Sequence, residues 1–109
     1  MILETKMRFQ LVVQIRGASL EDFNDMIAFE HDLIFQLGET AHVDEHDVGP
    51  RWTNIFVDTD DPSKTFLLIK ALLERTQRLA KATVASRLAG SDRFTLLWPK
   101  YAHGEFVLE

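Results

Sequence analysis

The sequence predicts an α+β domain in which one antiparallel sheet carries two helices on a single face. Three observations predict it. Apolar residues alternate with a period of two over Arg8 to Arg16 and then recur at helical spacing over Leu20 to Leu37. Glycine, proline or a capping residue stands at the changes of period. The elements so delimited follow the order strand, helix, strand, strand, helix, strand, with one more hairpin strand appended.

Phe9, Leu11, Val13 and Ile15 share one side of the first strand, and Arg8, Gln10, Gln14 and Arg16 the other. Gly17 ends the alternation. Ser19 then offers a hydroxyl cap, and Glu21 and Asp22 fall in the first turn, where the helix dipole favours anions. At about 100° per residue, Phe23, Met26, Ile27, Leu33, Ile34 and Leu37 form the apolar stripe of this helix, and Gly38 is its expected stop. His42 to Val48 reads as a strand, Gly49-Pro50 as a turn, and Thr53 to Asp58 as the antiparallel neighbour. Asp60-Asp61-Pro62 is a helix start: an aspartate cap, then proline where a missing N–H costs nothing. The second helix is expected to run to about Ala80, burying Phe66, Ile69, Leu72, Leu73 and Ala80, with Arg75, Arg78 and Lys81 gathered near its end. Thr83 to Leu88 and Phe94 to Trp98 flank Ala89-Gly90-Ser91-Asp92, a hairpin turn, and Pro99 closes the last strand.

With two right-handed crossovers, this order gives a ferredoxin-like βαββαβ sandwich with an additional C-terminal hairpin strand, forming a single domain over residues 1–109. The second face of the sheet is expected to be open, and an uncovered face must be solvated, dimerised or occupied. Phe23-Asn24-Asp25-Met26-Ile27, Val43-Asp44-Glu45-His46-Asp47 and the run from Asn54 to Pro62 carry a resemblance as well. From Phe9 to Pro99 the chain resembles a group of small bacterial ferredoxin-like proteins of unknown function. That resemblance implies the fold and brings no catalytic residue with it.

Composition narrows the function classes. At 109 residues and 46% hydrophobic, the chain can bury an apolar core without disulfides or a structural metal, and the absence of cysteine excludes disulfides, thiolate metal sites and a catalytic thiol. No apolar run approaches the length of a membrane span, and Met1 to Met7 lacks the basic start and apolar stretch of a signal peptide, so a cytoplasmic location is expected. Leu108-Glu109 reads equally as a vector remnant or a native end and is left aside. Twelve Lys and Arg against seventeen Asp and Glu disfavour phosphate-backbone binding, and no nucleic acid partner is expected. Gly-rich phosphate loops, a Gly-x-Ser-x-Gly elbow and a His-Glu-x-x-His zinc motif are all missing.

Charge is the least ordinary feature. Residues 1–61 hold 13 acids and 4 bases, whereas residues 62–109 hold 4 acids and 8 bases. Between Arg16 and Arg51 no Lys or Arg occurs, while Glu21, Asp22, Asp25, Glu30, Asp32, Glu39, Asp44, Glu45 and Asp47 all fall there. A surface of one sign speeds encounter with a basic partner and rejects like-charged competitors. The plain alternative is a solvated helix face that keeps the protein soluble. Phe29 and Phe35 flank the first helix and Leu67 points off the second, the kind of apolar anchor that supplies desolvation energy at an interface. Packing under the tail accounts for them equally. Trp52, Phe56 and Trp98 raise the same question for the sheet, as an oligomer seam or a ligand lid.

Two smaller clusters compete with this reading. His42, Asp44 and His46 are spaced two apart, so in a regular strand all three point to one side and could ligate a divalent metal. Glu30 falls near the centre of the helical stripe, where a carboxylate must find a partner or stay protonated. The leading expectation is a non-enzymatic protein-binding domain, immunity-protein-like by analogy, without a cofactor. Its contact residues are Glu21, Asp22, Asp25, Phe29, Asp32, Phe35, Asp44, Glu45 and Asp47, and a homodimer is a companion. The alternative is a small-molecule or metal-binding domain, open to catalysis, with Arg8, Arg16 and Glu30 lining a pocket and His42, Asp44 and His46 holding metal.

Overall fold

β1 (Phe9–Arg16) is the middle strand of the sheet and is buried on both faces: Leu11, Val13 and Ile15 enter the core beneath the helices, and Val12 and Gln14 are buried on the other side. A computed structural model describes residues 7–17, 20–49 and 51–99; the Ser19 cap, Pro50 and the tail after Pro99 lie outside them. The chain continues through α1 (Leu20–Leu37), β2 (Ala41–Val48), β3 (Trp52–Thr59), α2 (Pro62–Arg75), a 3-10 turn at Leu79–Lys81, β4 (Ala82–Leu88) and β5 (Thr95–Trp98). The five strands pair antiparallel in the order β2-β3-β1-β4-β5. Both helices pack on one face, where Met26, Phe29, Leu33 and Leu37 of α1 meet Ile69, Leu72 and Leu73 of α2 over Leu11, Val13, Ile55, Val57 and Val84.

The expected aspartate cap is present. Asp61 accepts the Lys64 N–H at 3.1 Å, and Thr59 Oγ1 accepts the Asp61 N–H at 3.0 Å while lying 2.7 Å from Thr65 Oγ1 in a buried pair. At the other end α2 stops at Arg75, five residues short of the expected Ala80, which is exposed. The Arg78 N–H bonds the Leu73 carbonyl at 2.8 Å and the Gln77 N–H bonds that of Glu74 at 3.1 Å, the paired pattern of a Schellman motif. Gln77 occupies its left-handed position at φ 59°. Because the usual glycine is missing there, nothing local announces the stop.

Two further expectations are corrected. The α1 residues buried most deeply are Met26, Phe29, Leu33 and Leu37, a stripe turned by about 60° from Glu30. Phe29 therefore belongs to the core, whereas Ile34, assigned to the core by spacing, is 52% exposed. The second face of the sheet is closed at its centre, since Val12, Gln14, Asn54, Phe56 and Ala85 are all buried. Long side chains rim that patch: Arg16 lies 5.5 Å from the Trp52 ring centroid, and Arg87 spans Gln10 Oε1 at 2.7 Å and the Phe94 ring at 4.9 Å.

Candidate partner-binding surface

The acidic half of the sequence folds into two adjoining elements, α1 and the outermost strand β2. Hydrophobic burial sets their orientation, and the carboxylates occupy what is left over. Glu21 and Asp32 are exposed on α1, Glu39 on the connection, and Asp44, Glu45 and Asp47 on β2. Arg78 and Lys70 take carboxylate partners outside these six, at Asp25 and Glu74, and Glu21 lines a groove with Arg78 and Lys81. Phe35 is 89% exposed on α1, one helical turn from Asp32 and Glu39, with Ile34 beside it, whereas Glu45 and Asp47 face the side of the sheet away from the helices. Phe35 and Ile34 expose apolar area where a helix surface would normally be polar.

The other predicted contact residues lie elsewhere. Asp22 is half-buried against Gly17: a β-carbon at position 17 would come 2.6 Å from the Asp22 Cγ, and φ is +136° there, so the turn requires glycine. Asp25 receives a two-pronged bond from Arg78, with Nε to Oδ2 at 2.9 Å and Nη2 to Oδ1 at 2.6 Å. That hydrogen-bonded guanidinium holds the Asp25 carboxyl below the ordinary carboxylate range, with added attraction from Lys81, against the opposing pull of burial. The same Arg78 lies 5.2 Å from the Phe29 ring centroid. One acid of the patch is thus neutralised by the basic half of the chain. Phe29 offers nothing to a partner.

The supposed metal triad is divided by a bulge. The register of β2 on β3 shifts between Val43 and Glu45, so that His42 pairs opposite Asp58 and Glu45 opposite Phe56, while His46 comes opposite Ile55 on the helix side. One extra residue turns every later side chain to the other face. His42 and Asp44 stay 3.9 Å apart in solvent, and His46 instead places Nδ1 3.0 Å from Glu30 Oε2, with its ring edge-on to Phe23 at 6.1 Å. No group of three or more potential metal ligands forms among the described residues.

The pocket proposed around arginine and glutamate does not assemble either. Arg8 and Arg16 stand at opposite ends of β1, about 26 Å apart at some 3.3 Å per residue, and Glu30 belongs to the helix layer. The Arg8 N–H caps Asp60 at 2.9 Å, and Arg16 stacks on Trp52. The expected anchor Leu67 is exposed on α2, above an apolar groove of about 350 Å³ lined by Phe66, Ser86 and Leu97. No family model, curated protein or solved structure matches this chain. No helix among the described residues is long and apolar enough to cross a membrane.

Sequence spacing missed Ile34 and Val48 as exposed apolar residues. Ile34 was lost because an ideal helical wheel cannot say which edge of a wide stripe the sheet covers. Only the register of β2 with β3 places Val48, which is 47% exposed.

Proposed function

We propose that the chain is a non-enzymatic domain that binds a basic protein partner through α1 and β2, with the ferredoxin-like fold of the small bacterial proteins it resembles. The strand order β2-β3-β1-β4, with β5 added outside β4, supports the fold name. The observation that carries the function is the setting of Phe35: an aromatic ring 89% exposed on α1, one helical turn from the exposed carboxylates of Asp32 and Glu39. Such a ring gives a partner desolvation energy, while the surrounding charge selects that partner and speeds encounter. Homodimerisation is a companion of this reading; with the sheet's second face already closed at its centre and β2 lined with carboxylates, it falls to the outer edge of β5.

The test is a titration of fluorescently labelled protein against a panel of basic proteins, at about 50 mM and about 500 mM salt. Binding to a member of the panel should weaken at least about tenfold with added salt and again with Phe35→Ser. Binding that is absent across the panel, or indifferent to both changes, removes this reading.

A further inference from the structure

The outer edge of β2 is the second candidate for recognition, distinct from the helix surface that carries Phe35. In the order β2-β3-β1-β4-β5, β2 is terminal: one side pairs with β3, and the other faces no strand among the described residues. His42 and every residue from Asp44 to Val48 are exposed, unlike β1 and β3, which are mostly buried. Terminal strands leave a row of N–H and C=O groups able to pair with another extended chain.

Folded proteins commonly protect such edges with charge and bulges, and β2 has both. The charge here has one sign. Asp44, Glu45 and Asp47 are its only formally charged residues apart from the two histidines. Two copies of β2 laid side by side would set carboxylates against carboxylates, so this device rejects self-pairing while leaving the edge open to the opposite charge. The bulge after Val43 leaves Glu45 to Val48 as the regular stretch, with Glu45 and Asp47 on one face and His46 and Val48 on the other.

We infer that β2 accepts an extended basic segment as a sixth strand. Its lysines or arginines alternate with small apolar residues, so that cations line up beside Glu45 and Asp47 and apolar side chains beside Val48. This rests on the reading above that the partner is basic, and it names the form that partner takes. Main-chain pairing supplies affinity and the alternate side chains supply selection.

The probe is the end-blocked peptide Lys-Val-Lys-Thr-Lys-Val-Lys, with two control peptides N-methylated at every second residue in either phase. Hydrogen exchange read by NMR should slow at least about tenfold for amides within 41–48 when the peptide is added. One N-methylated control should lose that protection, and Glu45→Lys with Asp47→Lys should weaken binding about tenfold. Unchanged exchange over 41–48, or equal protection by both N-methylated controls, overturns the inference. If a basic protein binds in a Phe35-dependent way without protecting β2, the broader function stands and the edge-strand inference falls. If no basic ligand binds, both fall.

Discussion

Nδ1 of His46 on β2 lies 3.0 Å from Oε2 of Glu30 on α1, a contact that exists only because the bulge after Val43 turns His46 toward the helices. It fastens the edge strand to the helix layer and gives a partner to a Glu30 side chain that is only 13% exposed. A double-mutant cycle measures it. His46→Ala and Glu30→Ala should each destabilise by about 1 kcal/mol, with a coupling of roughly 0.5–1 kcal/mol between them in urea unfolding. Strict additivity would mean the two groups do not interact.

Two phenylalanines on one helix should behave oppositely. Phe29 is fully buried and Phe35 is not, so Phe29→Ala should cost about 3–5 kcal/mol while Phe35→Ser stays within about 0.5 kcal/mol. Equilibrium denaturation of both variants checks the orientation of α1 directly. Comparable losses would mean the helix is rotated from the arrangement described above.

Gln77 provides a test whose sign is diagnostic. In the left-handed position of a Schellman motif, glycine relieves a conformation that an L side chain adopts at a cost, so Gln77→Gly should stabilise by about 0.5–1 kcal/mol. Had the helix continued through this residue, the same change would destabilise by about 1 kcal/mol. The shift of Tm distinguishes the two cases.

Asp25 makes stability depend on acid. Its carboxyl is held low by Arg78, so the unfolded state takes up a proton more readily than the folded state as pH falls. The contribution is complete above the unfolded carboxylate range, near pH 4, and is lost as pH drops through the lowered folded value. Because the side chain is about half exposed, with 47% of its area accessible, Asp25→Asn should cost less than about 1 kcal/mol at neutral pH. The difference between wild type and variant should shrink toward zero in melts near pH 2. A difference that persists there would assign the effect to packing.

Legibility in the sequence followed the range of the forces involved. The alternation of β1, the Asp61 cap and the Gly38 stop are local effects, and they stand where periodicity and capping chemistry place them. The two-layer arrangement follows too, because the strand and helix periods leave each element one face to bury. The candidate site was legible only as composition: a stretch without cations, with Phe35 and the β2 acids exposed as expected. Phe29 was misjudged because helical spacing defines a stripe but not which of its edges meets the sheet.

What the sequence determined alone is therefore the identity of the elements and the lopsided distribution of charge, both properties of neighbouring residues. What only the tertiary structure decided is which carboxylates remain free. Arg78 is 53 positions from Asp25, and one extra residue in β2 sends His46 to Glu30 and away from His42. Ion pairing and strand register are set by distances through space, which the order of residues along a chain does not contain.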